Sequence, residues 1–348
     1  QTLFARSACF RPSRLVFTIH NMAYQGAFEA SQWSQTGLAD TPALRRVLMH
    51  GKMINLMKAG IVSADHLSTV SPSHVAELLT PQFGYGLEKV LRKKRKVFSG
   101  ILNGIDQKLW NPRRDQGLAC RYGVGNIEKR RLNKAVLQKR SGLKVRPDVV
   151  VLGMVSRLAY QKGMDLLIDS LNRLMRFEDG VSAGERPVQF VLLGTGDARY
   201  EKALKALARK HRGRVACLLR FSALESALIY GGCDFFLMPS EYEPCGLGQL
   251  IAFRYGAVPI ARRTGGLADT VTDADEDRSR GTGILFERSS SGDLLGAVRR
   301  ALRIYDDPRR MKALRLRGMK LDFSWKASAA EYERMYRTLI RHARRTRG

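Results

Sequence analysis

Acid is scarce in this 348-residue sequence: 32 Asp and Glu stand against 60 Lys and Arg, a formal charge of +28. Such a surplus predicts attraction to anions. Paired cysteines are missing as well. Cys9, Cys120, Cys217, Cys233 and Cys245 are widely spaced, odd in number and form no C-x-x-C, which excludes a disulfide or zinc framework and fits a reducing compartment. The longest apolar runs, such as Val149 to Val155 and Phe235 to Met238, are strand-length and far too short to span a bilayer, so the chain reads as soluble. There is no internal repeat and no low-complexity linker. No spacing suits a Ser-His-Asp triad, and no Asp-x-Asp or His/Asp cluster reads as a metal site, so metal-free chemistry is expected.

What is present is ordinary globular material, 44% hydrophobic and 26% charged, in a chain long enough for two domains. The basic residues spread along its length, with a cluster at Arg92-Lys93-Lys94-Arg95-Lys96 and an Arg-rich tail from Arg341. Two explanations compete: a polyanion-binding surface, or the solvated surface of an enzyme whose substrate is itself anionic. The second is preferred, because no aromatic or Gly-rich RNA-binding signature accompanies the charge. The opening run to Arg14 has Arg and Ser but no acid, like a transit peptide. It leads straight into the apolar run Leu15 to Ile19, however, so the start reads as a cut inside a domain.

From Val149 onward, short β-rich runs alternate with helical patterns. Strands are expected at Val149 to Ser156, Val188 to Leu193, Phe235 to Met238, Val258 to Ile260 and Ile284 to Phe286, with helices around Asp165 to Arg176 and Ala198 to His211. This alternation predicts a doubly wound parallel α/β sheet that binds ligands beyond the carboxyl ends of its strands. The first hundred residues hold fewer strands, at Leu15 to Ile19, Leu67 to Val70 and Ile101-Leu102, as expected for the tail of a second sheet. Turn chemistry at Asn103-Gly104 and Asn111-Pro112 places the domain join near Asn103 to Trp110. Tyr332, Met335, Tyr336 and Leu339 form the apolar face of a closing, otherwise basic helix.

Candidate site residues follow strands. In Pro239 through Gln249, Glu243 could accept sugar hydroxyls while amides at a helix start near Gly246 meet a phosphate; a plain turn with an exposed Glu fits the pattern equally. After Val155, Arg157 and Lys162 could offset the charge of a diphosphate leaving group, or be two surface cations. Arg263 through Asp269 sets Gly265 and Gly266 where amides could approach a ligand, and also where a helix could simply begin. For Leu193 through Asp197 the structural explanation is preferred. His20, directly after the first strand, and Asn103, after Ile101-Leu102, could face a pocket; a lone His and an Asn-Gly pair are otherwise structural.

Taken together, these segments resemble the starch/glycogen synthase family, glycosyltransferase family 5. The matches run in family order: His20 through Gly26, Lys58-Ala59-Gly60, Thr69 through Pro72, Asn103 through Asp106, Ser156-Arg157-Leu158, Gln161-Lys162-Gly163, Glu243 through Leu247, Arg263 through Val271, and Asp322 through Trp325. The resemblance implies a GT-B fold, two Rossmann-like doubly wound domains facing across a cleft, the first incomplete. Its divisions would be residues 1–103, the end of the acceptor-side domain; 104–322, the nucleotide-sugar domain; and 323–345, a helix returning to the first. It implies a retaining glucosyltransferase passing glucose from ADP-glucose to the non-reducing end of an α-1,4-glucan, with no cofactor beyond that substrate, in the cytoplasm of a bacterium or the plastid of a eukaryote.

Carried over residue by residue, the resemblance puts Arg157 and Lys162 on the phosphates, Glu243 on the glucose hydroxyls, and Cys245, Gly246, Leu247, Thr264, Gly265 and Gly266 around the donor. His20 and Asn103 would approach the glucose from the first domain, His20 as a catalytic residue, and Phe221 would stack on the base. Attack from the same face through an oxocarbenium-like state, with no glycosidase-like carboxylate pair, would retain the α configuration.

There are two departures from the family pattern. Its Lys-x-Gly-Gly-Leu loop falls before residue 1, so the resemblance implies identity more firmly than turnover by this chain alone. Gly248 stands where bacterial relatives often carry Thr, removing one hydroxyl near the phosphates. The competing assignment is a GT-B enzyme using another nucleotide sugar and acceptor, and that broader family carries a second Glu where this chain has Ile251.

Overall fold

In the computed structural model, which describes residues 13–176 and 187–345, the chain divides into two units. One comprises the described residues up to Asn103 together with those from Lys326 onward, and the other is Gly104–Trp325. Of the opening run, residues 1–12 lie outside the description.

The first unit carries strands β1 (Val16–Ile19), β2 (Ala27–Glu29), β3 (Met49–His50), β4 (Met53–Asn55), β5 (His66–Thr69) and β6 (Phe98–Gly100), with helices α1 (Pro42–Leu48), α2 (Leu56–Ser63), α3 (Pro72–Leu78), α4 (Pro81–Gly84) and α5 (Glu88–Lys93). Strands β1, β5 and β6 form a parallel sheet in the order β1-β5-β6. The strand expected at Ile101-Leu102 lies instead at Phe98–Gly100. Its pairing partner β5 runs out at Thr69, opposite Gly100, so the ladder ends there. The small antiparallel sheet β2-β4-β3 went unforeseen because strands of two or three residues are too short to alternate visibly. Two members of the basic cluster have local structural work. Arg92 Nε donates to the carbonyl of Leu79 and Lys94 Nζ to that of Ala64, both at 2.7 Å, satisfying orphan carbonyls at the ends of α3 and α2.

The second unit holds β7 (Val150–Val155), β8 (Val188–Leu193), β9 (Val215–Leu218), β10 (Phe235–Met238), β11 (Val258–Arg262) and β12 (Ile284–Phe286). Its helices are α6 (Arg130–Arg140), α7 (Met164–Leu174), α8 (Ala198–Lys210), α9 (Ala223–Gly232), α10 (Gly248–Tyr255), α11 (Gly265–Thr270), α12 (Ser291–Tyr305) and α13 (Pro308–Lys320); α14 (Trp325–Arg345) follows. All six strands are parallel, in the order β12-β11-β10-β7-β8-β9. Counted from the first strand of the unit this is 6-5-4-1-2-3, the doubly wound order, and its direction reverses between β7 and β10.

Strand alternation explains why the sheet is covered on both faces. Val150, Leu152 and Met154 of β7, Phe190 and Leu192 of β8, and Phe235 and Leu237 of β10 join one buried cluster. Val151, Val191, Leu193, Phe236 and Met238, the residues between them, join the other. Each such side chain, fully buried, contributes roughly 1.5–3 kcal/mol. At the amino end of β10, buried Asp234 accepts from the Val151 amide (3.0 Å) and pairs with Lys134 and Arg315, each at 2.7 Å. Burial pushes this carboxyl up, but the two cations outweigh it and leave it below the usual carboxylate range. The β7 and β10 pair is thereby pinned at the end opposite the loops described next.

Candidate active site

At the reversal of strand order the helices that follow the neighbouring strands β7 and β10 pack on opposite faces of the sheet, α7 in one cluster and α10 in the other, and the region beyond the carboxyl ends of such a pair is where open α/β sheets bind ligands. The loops leaving the two strands are tied to one another. Glu241 N–H donates to the Gln161 carbonyl (2.9 Å), and Gln161 Nε2 donates to the Tyr242 carbonyl (3.3 Å). Gly163 has φ +69°, and a Cβ on it would stand 1.9 Å from the Pro239 carbonyl oxygen. Glycine is required there twice over, for its backbone and for the approach. Gly163→Ala should therefore cost more than about 1 kcal/mol of stability, seen as a lowered Tm.

This tie brings Lys162 and Glu243 together. Lys162 Nζ lies 2.5 Å from Glu243 Oε2, and Ser240 Oγ donates to the same oxygen at 3.0 Å. Glu243 is only 4% exposed, which removes the alternative of an ordinary surface Glu. Its other oxygen, Oε1, accepts no hydrogen bond among the described residues. A buried carboxylate with one oxygen held twice and the other open is an acceptor waiting for a donor such as a sugar hydroxyl. In the sequence Ser240 stands out from the Pro239 through Gln249 segment only by its place three residues before Glu243, close enough for a turning loop to bring the two together.

The loop after β11 closes on the same place. Arg262 donates through Nε to the Ser240 carbonyl (2.7 Å) and through Nη2 to that of Glu241, and the Gly266 amide donates to the Glu243 carbonyl (2.9 Å). A Cβ on Gly266 would stand 2.1 Å from the Cys245 carbonyl oxygen, so here the second glycine serves backbone approach. Thr264, Gly265 and Gly266 are buried beside buried Cys245, whereas Leu247 is exposed. Helix α10 begins at Gly248, two residues after the expected Gly246, which has φ +72°. Helix α11 begins at Gly265 rather than near Leu267.

Arg157 and Phe221 meet in a separate feature, a cavity of about 460 Å³ also lined by Trp110, Gly194, Thr195 and Tyr230. Phe221 is 93% exposed, an aromatic face held open to solvent. Arg220 beside it pairs with Glu225 (2.8 Å), whose carboxyl that guanidinium holds below the usual range. Gly194 and Gly196 pack on the carbonyls of Ser156 and Leu158, where a Cβ would come within 1.8 and 2.3 Å. The preferred structural explanation of Leu193 through Asp197 thus accounts for the close approach, while Gly194 and Thr195 line the cavity as well. Trp110 and Tyr230 were not anticipated, since only the folded chain sets them beside Phe221.

His20 and Asn103 belong to the first unit. His20 follows β1 directly and is exposed, without a hydrogen bond among the described residues, and half-buried Asn103 closes that unit's first segment. Asp273 and Asp275 do stand at Asp-x-Asp spacing, but both are committed elsewhere. Asp273 accepts from the Leu285 amide (2.7 Å) and from Arg300, and Asp275 pairs with Arg300 (2.5 Å) and Arg310 (2.6 Å). No described helix is long and apolar enough to cross a membrane.

Comparison with known proteins bears on this geometry. Residues 1–93 match the family described as starch synthase catalytic domain, and residues 137–314 match glycosyl transferases group 1. A glycogen synthase of Anaeromyxobacter dehalogenans is 45% identical across 96% of this chain and 68% of its own length. Glycogen synthase 1 of Methylococcus capsulatus is 43% identical across 95% of this chain and 66% of its own. The chain thus spans about two-thirds of the length of these relatives. The solved catalytic domain of starch synthase IV from Arabidopsis thaliana, bound to ADP and acarbose, matches with a TM-score of 0.86 at 32% identity, covering 97% of this chain and 70% of that one. A sucrose-phosphate synthase from Thermosynechococcus elongatus matches at 0.59 and 21% identity over 94% of this chain and 68% of its own, a likeness of fold alone.

Proposed function

The chain belongs to the starch and glycogen synthase family, glucosyltransferases of GT-B fold, and on that premise we propose that its second unit binds ADP-glucose for transfer of glucose to an α-1,4-glucan. The observation that carries the reading is Glu243, a buried carboxylate at the reversal of strand order, held on one oxygen by Lys162 and Ser240 and open on the other.

In this reading Glu243 Oε1 accepts from glucose hydroxyls, and Lys162, with two protons still free, reaches the diphosphate. Arg157, which lines the same cavity as Phe221, is the second cation proposed for the phosphates. As the bond from C1 to the β-phosphate oxygen breaks, negative charge collects on the departing ADP, and fixed cations stabilise that state more than the ground state. The new bond forms between C1 and the glucan hydroxyl on the same face, whose proton passes to the departing phosphate. Loops already tied together need no reorganisation as the charge moves. For His20 and Asn103 the family pattern alone supports a role at the glucose. The same pattern supports a bacterial cytoplasm, or a plastid in a eukaryote.

Phe221 offers a clean check. Because it is almost wholly exposed, Phe221→Ala should leave Tm unchanged. Base–aromatic stacking amounts to roughly 1–3 kcal/mol by alanine substitution, so ADP should bind on the order of 5- to 150-fold more weakly by calorimetry. Unchanged affinity would remove the base from this cavity. Transfer itself is tested by following labelled glucose from ADP-glucose onto glycogen, in this chain and in a fusion that adds the N-terminal third of a relative. Failure of the fusion to label glycogen would contradict the reading.

A further inference from the structure

Behind the open carboxylate is a second set of contacts. Gln249, in the first turn of α10 and fully buried, donates through Nε2 to the carbonyls of Cys245 (2.9 Å) and Gly246 (3.0 Å), with Thr270 Oγ1 at 3.1 Å. Thr270 commits its one proton to the Gly266 carbonyl (2.6 Å), so toward Gln249 it is an acceptor. Gly266 in turn donates its amide to the Glu243 carbonyl. The contacts close a ring: Glu243, Gly266, Thr270, Gln249, and back to Cys245 and Gly246.

We infer that Gln249 and Thr270 are positioning residues, a clamp that locks the loop after β10 to the start of α11 and so fixes Glu243 and the Cys245-Gly246 backbone against the sugar nucleotide. The inference rests on the donor-site reading above. Three lines of physical argument support it. The acceptors facing the amide are carbonyls and a hydroxyl whose proton is already used, so only a donor suits the position and the amide's orientation is forced. Gln249 Oε1 is left buried without a partner, a cost that an apolar side chain filling the same space would avoid. What the amide supplies, and an apolar residue cannot, is two N–H donors shared among the Cys245 and Gly246 carbonyls and the Thr270 hydroxyl oxygen. Finally, the fit has no slack: a Cβ on Gly246 would stand 2.4 Å from Gln249 Oε1, and one on Gly266 would stand 2.1 Å from the Cys245 carbonyl oxygen. A loosened clamp must therefore be felt at Glu243.

The test compares Thr270→Val, which keeps the shape and loses the hydroxyl, with Thr270→Ser, which keeps the hydroxyl, each against the unsubstituted chain. Two readouts are taken: exchange of the Gly266 amide proton, which needs no ligand, and calorimetric affinity for ADP-glucose. Thr270→Val removes two hydrogen bonds, the one donated to the Gly266 carbonyl and the one accepted from Gln249, and each lost bond corresponds to roughly a three- to tenfold effect. Thr270→Val should therefore speed exchange of the Gly266 amide and weaken ADP-glucose binding, each by at least about threefold, and Thr270→Ser should restore both to within about twofold. Exchange unaltered in Thr270→Val overturns the clamp. Faster exchange with unchanged affinity makes the pair merely structural and overturns the positioning role. If the unsubstituted chain fails to bind ADP-glucose, the donor-site reading falls and the positioning role with it, whereas Gly266 exchange still judges the ring of contacts by itself.

Discussion

Replacing Glu243 with Gln should lower glucosyl transfer on the order of 10²- to 10³-fold, the loss typical of removing one preorganised polar group that acts in the transition state. The substitution keeps the size of the side chain, and Ser240 Oγ can still donate to the amide oxygen. In the proposed reading, what disappears is the negative charge beside a sugar that becomes oxocarbenium-like as its bond to ADP breaks. Because that charge matters most when the sugar is most positive, kcat should fall far more than affinity for ADP, which carries no glucose. Turnover is measured in the fusion that restores the relatives' length, with and without the substitution. A kcat within about threefold of the unsubstituted fusion would detach Glu243 from the chemistry.

Lys162→Met should act on both ligand and fold. Removing one partner of a buried ion pair typically costs 3–5 kcal/mol, because the remaining charge is left without compensation. Lys162 retains 19% of its side-chain exposure, so the lower end, about 3 kcal/mol, is expected. In a unit of this size that is a fall of roughly 6–12 °C in Tm. ADP affinity should fall as well, because Lys162 is the cation proposed to reach the diphosphate. The double variant, Lys162→Met with Glu243→Gln, separates the two effects. With no charge left buried, it should recover most of the lost Tm and none of the ADP affinity. A Tm that stays low in the double variant would mean that the ion pair is not the source of the loss.

The sheet of the second unit was legible where strands announce themselves as unbroken apolar runs. Val188 to Leu193, Phe235 to Met238 and Ile284 to Phe286 lie where their composition puts them. Strand β9 (Val215–Leu218) escaped because four residues, two of them half-buried and following Arg214, make neither a run nor an alternation. The segments after strands were legible on other grounds: parallel order gathers the loops at the carboxyl ends of the strands, where ligands are expected. Which side chains meet was not. Lys162 and Glu243 are 81 residues apart, and their contact depends on β7 and β10 being sheet neighbours, a fact of strand order rather than of any local pattern. The role of Gly266 was half visible. Sequence suggests that a glycine there frees an amide for a ligand, while the fold adds that the Cys245 carbonyl leaves no room for a Cβ. Asp273 and Asp275 show the converse, an Asp-x-Asp spacing whose carboxylates pair with Arg300 of α12 and Arg310 of α13.

Calorimetric titration of ADP into the chain, beside Phe221→Ala and Lys162→Met, asks whether the second unit, to which both residues belong, binds the nucleotide. If the second unit holds the donor site, one ADP binds per chain, with affinity reduced by each substitution and Tm reduced only by Lys162→Met. Absence of binding to the unsubstituted chain, or binding indifferent to both changes, would contradict the donor-site reading.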